Sequence, residues 1–138
     1  MQYDYTEGAW VETDVKLLIR KSDLDPDLLA RELPLTPTAV SLPTDESRRL
    51  GLPDEGVWSL AVHRRLPGGI DDQLRELLRQ ITPHAPSISS LAARGYEVSI
   101  NVSGFVGRGS TFSLTPDAIS QVAALNIPFV VSPSTSER

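Results

Sequence analysis

The stretch 96–103 constrains this chain more than any other. Tyr96, Val98, Ile100 and Val102 alternate with Glu97, Ser99, Asn101 and Ser103, and a period of two places the two sets on opposite faces of an extended strand. Such a strand cannot stand alone, because its backbone groups need neighbours and its apolar face needs a cover. Two further stretches repeat the pattern. Val15, Leu17 and Ile19 alternate with Lys16 and Arg20, with Leu18 the one apolar residue on the second face. At 57–63, Trp58, Leu60 and Val62 oppose Ser59, Ala61 and His63. Strands with one apolar face predict a mostly antiparallel sheet with its other face solvated.

Helices supply the cover. Ile70, Leu74, Leu77, Leu78 and Ile81 form a single apolar stripe at helical spacing. Asp71 and Asp72 open that helix and Arg79 closes it, as the macrodipole favours, while Asp71 and Arg75 form an i, i+4 pair. A shorter helix is expected over 86–94, with Ile88, Leu91 and Ala92 inward and Gly95 ending it. Asp25-Pro26-Asp27 and Thr115-Pro116-Asp117 share one device: a capping side chain, a proline at the first helical position and an acid in the first turn. Phe112 and Leu114 resume alternation after 104–109, predicting a β-hairpin with 96–103, and 127–131 reads as the last strand.

The expected class is α+β: a single layer of mostly antiparallel five-stranded sheet with about four helices on one face. Residues 17–35 and 112–129 both read as strand, proline-capped helix and apolar return, which raises an internal β-α-β duplication as an expectation. One domain over 1–138 is expected. Within it, 1–10 reads as flexible or as an added edge strand, 36–56 as a long loop carrying Pro37, Pro43 and Pro53, and 132–138 as a frayed tail.

Composition narrows the function. The chain has 13 Lys and Arg against 18 Asp and Glu, a net charge of −5, and its basic residues do not form the strong cluster a nucleic-acid surface needs. There is no Cys, which removes disulfides, thiol nucleophiles and Cys-based metal centres, and the two His leave little room for a catalytic metal. No basic leader precedes an apolar run, and no stretch approaches the roughly 20 apolar residues of a membrane helix, so a cytoplasmic location is expected. Asn101-Val102-Ser103 matches a glycosylation acceptor but is read as part of the alternating strand.

Several clusters invite a chemical reading. Asp23, Asp25 and Asp27 are spaced like the start of a calcium loop, yet Pro26 and Leu28 interrupt it and its Gly and terminal Glu are missing, so helix capping is preferred. Gly104-Phe105-Val106-Gly107-Arg108-Gly109 resembles a phosphate loop in glycine content only; a strand follows it where a helix should, leaving Phe105 and Arg108 as contact residues at a hairpin tip. Neither His63 nor His84 lies in a motif that supplies a nucleophile or a carboxylate. Arg48 and Arg49, with His63, Arg64 and Arg65, are the local positive patches of an acidic chain. Trp10, near Tyr3 and Tyr5, has two readings: an exposed anchor for a partner, or part of an edge strand packed on the domain. Trp58 is expected in the core.

Several strings in order and spacing carry a family resemblance: Ser22-Asp23-Leu24-Asp25-Pro26, Leu33-Pro34-Leu35-Thr36-Pro37-Thr38, Val57-Trp58-Ser59-Leu60, Leu74-Arg75-Glu76-Leu77-Leu78, Phe112-Ser113-Leu114-Thr115-Pro116 and Leu125-Asn126-Ile127. Over 15–131 the chain resembles the bacterial family called domain of unknown function 4279. The resemblance implies a small bacterial domain with no assigned activity and no catalytic residues to carry over. It does not extend over 40–54, so any role for that stretch rests on its own residues.

The expected function is a small non-catalytic binding module, acting on a protein partner and inhibitory in the manner of an immunity protein. It would use the 36–56 loop, the 104–109 tip and the exposed sheet face. Its candidate contacts are Trp10, Arg48, Arg49, His63, Arg64, Phe105 and Arg108; no catalytic residue, cofactor or metal is expected, and no nucleic acid or membrane. The alternative is a small anionic ligand held between the sheet and the long loop by Arg48, Arg49 or Arg64. A less favoured reading is an enzyme pairing His63 or His84 with Asp45 or Asp54. Oligomeric state stays open, because an uncovered edge strand can pair two copies.

Overall fold

The computed structural model describes residues 10–107 and 110–135. Its elements run β1 (Val11–Lys21), α1 (Pro26–Glu32), β2 (Ala39–Ser41), α2 (Asp45–Arg49), β3 (Gly56–Val62), α3 (Ile70–Ile81), a 3-10 turn (Thr82–His84), α4 (Ala85–Ala93), β4 (Glu97–Val106), α5 (Pro116–Leu125) and β5 (Phe129–Thr135). The three alternating stretches become β1, β3 and β4, and they lie side by side. The sheet order is β2-β3-β1-β4-β5. Every pairing is antiparallel except β4 with β5, and α5 provides the crossover that a parallel pair needs. The sheet is open and mixed, mostly antiparallel, and the class is α+β.

Register follows from the apolar pattern. Leu17 faces Leu60 on one side and Ile100 on the other, and Ile19 faces Trp58 and Val98, so one row of apolar side chains crosses three strands. A slip of one residue would expose the whole row. Leu74, Leu77, Leu78 and Ile81 of α3, Ile88 and Leu91 of α4, and Leu29 of α1 close over it, all fully buried. Gly56 opens β3 where a side chain would not fit: a Cβ there would lie 2.7 Å from that of Leu24. The opposite face carries Lys16, Leu18, Arg20, Ser59, Ala61, Ser99 and Asn101, all partly exposed, with no helix of the described residues over them.

Four helices cover the inner face, while α2 buries no residue. Five strands are present as expected, but the fifth is a different segment. Phe112 and Leu114 do not form a strand, and the expected hairpin is replaced by pairing of β4 with β1 and β5. Both edges of β4 are thereby occupied, so 112–114 has no ladder to join; Phe112 and Leu114 pack against the core from a loop instead. The missing strand is β2, inside the stretch expected to be a long loop, and α2 lies there as well. The two proline-capped helices form as α1 and α5, but no strand leads into α5, so the echo between the two ends stops at the capped helix.

The last strand runs on through Ser132 to Thr135, residues expected to fray; parallel pairing with Ser103 to Val106 holds them. Residues 1–9 and 136–138 lie outside the described residues. No helix among the described residues is long and apolar enough to cross a membrane.

Candidate functional site

The start of β1 is irregular. Val11 pairs with Phe105 but Asp14 pairs with Ser103, so β1 carries one extra residue, and Glu12 within that bulge has φ 51°. A non-glycine residue in this left-handed region costs about 1–2 kcal/mol, and bulges that re-aim side chains recur beside functional sites. Next to it, the Thr13 hydroxyl donates to Gln73 Oε1 at 2.6 Å, and Gln73 Nε2 donates to the carbonyls of Thr13 at 3.0 Å and Arg64 at 3.1 Å. Gln73 is only 1% exposed, so this amide ties the first turn of α3 to the bulge and to the segment after β3.

These bonds hold the floor of a groove of about 510 Å³. Trp10, just before β1, and Glu12 and Thr13 within it line one side, His63, Arg65, Leu66 and Pro67 line it from the segment after β3, and Gly69 and Gln73 from the start of α3. A second depression of about 240 Å³ shares Trp10, Thr13, Pro67 and Gly69 and extends to Phe112. Trp10 stands between the two, edge-to-face with Phe112 at 5.1 Å between ring centroids. Gly69, at φ 66°, takes the cap position of α3 without a side-chain cap. Asp72 instead accepts from the Gly68 amide at 2.9 Å, and Asp71 from the Thr115 amide at 2.8 Å, which binds the start of α3 to the start of α5.

Most arginines of the described residues are already paired. Arg20, Arg48, Arg49, Arg75, Arg79 and Arg94 each pair with a carboxylate. The Glu32 carboxylate raises the Arg94 guanidinium above its ordinary value, chiefly by hydrogen bonding. Among the described residues, the side chains of Glu12, His63 and Arg65 have no such partner. The groove therefore presents an acid, an imidazole and a guanidinium that are free to meet something else.

A second surface lies at the far edge of the sheet. Val40 is 41% exposed, Leu42 46%, Leu50 65% and Leu52 53%, four large apolar side chains within the β2–α2 stretch. That stretch is ordered by its own bonds. Thr44 and Ser47 form a capping box, with Ser47 N donating to Thr44 Oγ1 at 3.0 Å and Thr44 N to Ser47 Oγ at 2.8 Å. Arg48 bonds Asp54 at 2.9 Å and Asp45 at 3.3 Å, contacts that raise its guanidinium further above its ordinary value, Asp54 foremost, while Arg49 pairs with Glu46. A depression of about 260 Å³ here is lined by Leu42, Pro43, Leu52, Pro53 and neighbours, and no arginine reaches it.

The two sheet edges are unequal. The Ile100 amide donates to Pro128 O at 2.9 Å, so alternate residues of β5 address β4 and the others, Pro133 among them, face outward. Pro133 removes a donor from that edge, as edge strands commonly do. The outer edge of β2 has no proline and no charge across Ala39, Val40 and Ser41, all exposed.

The structure brings two expected contact residues together, Trp10 and His63, in the groove. Trp10 is half-buried there, packed on Phe112 and outside any strand. Arg64 contributes only its carbonyl to the site, through Gln73. Arg48 and Arg49 sit on α2 at the opposite end of β3, ion-paired, and neither lines the depression beside them. Phe105 is 40% exposed near the end of β4 and opposite Val11, not at a hairpin tip, and Arg108 lies outside the described residues. Asp45 and Asp54 bind Arg48, and among the described residues no bond joins His63 or His84 to a carboxylate. Asp25 caps α1, accepting from Asp27 N at 3.0 Å, and Asp23 pairs with Lys21.

Glu12, Thr13, Gln73 and the exposed leucines escaped the sequence reading. For Gln73 a signal existed: it lies at i+3 from Ile70, inside the apolar stripe of α3, where a polar residue must find buried partners. Nothing in the sequence marks Glu12, since its left-handed backbone is imposed by the bulge.

An open five-stranded sheet, four helices on its inner face, a groove at one end and exposed apolar side chains at the other define a small α+β domain. The chain belongs to the family described as Domain of unknown function (DUF4279), whose family model matches residues 11–136. That match takes in the β2–α2 stretch, where the resemblance on individual strings stops. No curated protein and no solved structure matches the chain.

Proposed function

We propose that this protein is a non-catalytic cytoplasmic module that binds another protein, in an inhibitory, immunity-like role, through its β2–α2 surface. One observation carries the reading: Val40, Leu42, Leu50 and Leu52 are all exposed within one short stretch at the β2 edge of the sheet, an edge without proline or charge. Exposed apolar side chains next to unpaired strand groups are features that partner proteins use, by packing and by strand addition. The capping box and the Arg48 bridges hold this surface in one shape, which lowers the entropy cost of binding. The net charge of −5 favours a basic partner and speeds its encounter. The arginines of the anionic-ligand alternative are neutralised by neighbouring acids at Arg48 and Arg49, which weighs against that reading.

The test is native mass spectrometry of the protein purified from its own host, comparing the wild type with Leu50→Asp and Leu52→Asp. A second polypeptide present with the wild type and lost in both variants is the expected result. Ile119→Asp changes a side chain 53% exposed on α5 and should retain the partner. Retention by all three variants, with circular dichroism showing each folded, would remove the β2–α2 surface from the proposal.

A further inference from the structure

The groove at the β1 bulge shares no lining residue with the β2–α2 depression and needs its own account. We propose that it binds a small zwitterion with an aromatic or apolar body, the chemistry of a free aromatic amino acid. Its volume of about 510 Å³ lies within the range of small-molecule sites.

Three features select this class. Arg65 offers a planar fork suited to a carboxylate, with His63 as a second polar group beside it. Glu12, carried on the bulge at φ 51°, offers the complementary charge for an ammonium group. Trp10, braced by Phe112, faces the same space as Leu66 and Pro67 and supplies an apolar wall.

The charge balance decides between a zwitterion and a simple anion. Glu12 and Arg65 sum to zero, so the wall matches a ligand without net charge, and a chain at −5 repels a free anion. The bonded pair Thr13 and Gln73 fixes the floor before any ligand arrives. Strained backbone at Glu12 is maintained only because the surrounding pairing over-determines it, a pattern that marks binding sites.

The experiment titrates the purified chain with L-phenylalanine, benzoate and phenethylamine, read by calorimetry and by tryptophan fluorescence. Trp58 is 3% exposed, so a fluorescence response reports Trp10 and should vanish in Trp10→Phe. L-Phenylalanine is expected to bind saturably, with benzoate and phenethylamine each weaker by about tenfold or more, since each forfeits one charged contact. Arg65→Ala and Glu12→Gln should each weaken phenylalanine by about the same factor with the circular dichroism spectrum unchanged. Benzoate binding as tightly as phenylalanine, with Glu12→Gln neutral, would overturn the zwitterion assignment in favour of an anion site. Absence of saturable heat for all three probes up to about 20 mM would overturn the site itself.

Discussion

Gln73 holds an amide in a position that helical spacing reserves for apolar side chains, and three hydrogen bonds offset its burial. Replacing it with leucine fills similar volume but leaves the Thr13 hydroxyl and two carbonyls without their partner. Gln73→Leu is expected to lose about 2–3 kcal/mol in urea unfolding with an unchanged m-value. Glu12 presents the opposite case, a residue whose backbone would prefer to be glycine. Glu12→Gly relieves the left-handed strain, about 1–2 kcal/mol, against a cost of roughly 0.4–1 kcal/mol from the freer unfolded chain. Unfolding should therefore show this variant no less stable than the wild type, while the zwitterion affinity falls. A clear loss of stability would mean that the Glu12 side chain serves the fold. Asp14 is strained in another way: among the described residues its Oδ1 is buried without a partner, and its other oxygen is 3.9 Å from Lys16 Nζ. Sequence spacing already marks Gln73 as anomalous; Glu12 and Asp14 acquire their character only from the bulge and from the strands on either side.

At the level of elements, local chemistry predicts helices better than strands. Asp25-Pro26 and Thr115-Pro116 cap α1 and α5 as their residue types require, because a cap satisfies amides within its own turn. Thr115 does more: its hydroxyl caps Ala118 N at 3.4 Å while its amide and hydroxyl both reach Asp71 on α3. Thr115→Ala is expected to lower stability by about 1–2 kcal/mol and Thr115→Ser by a few tenths, measured by thermal unfolding. Equal losses would assign the effect to the methyl group rather than to the bonds. Strands depend on distant partners, and there the local signal failed twice. Phe112 and Leu114 alternate without a ladder, since both edges of β4 are taken. Ala39, Val40 and Ser41 pair with β3 although an exposed three-residue edge strand leaves no alternation to detect.

For the whole molecule, charge and layering set the response to conditions. Glu76 is held below its ordinary value of 4.5, first by the hydrogen bond from Arg79, with burial opposing and Gln80 and the Arg64 charge assisting. A depressed carboxylate stabilises the fold above its unfolded value and loses that contribution as pH falls through its folded one. Stability measured by urea between about pH 6 and pH 3 should fall, and Glu76→Gln should flatten that fall by only a few tenths of a kcal/mol, because the pair lies on the helix surface. Among the described residues the sheet keeps one face free of helices, and its β2 edge carries neither proline nor charge. What the sequence by itself determined is the set of periodic elements: the three central strands, the inner face they share, the α3 stripe and the capped helices. Those depend on contacts within a few residues or on the sign of a side chain's hydropathy. The tertiary structure decided which strand completes the sheet, where the bulge falls, and that Trp10, Glu12, His63 and Arg65 share one groove. Such placements arise from pairing between segments far apart in the chain, and no local period records which segments will meet.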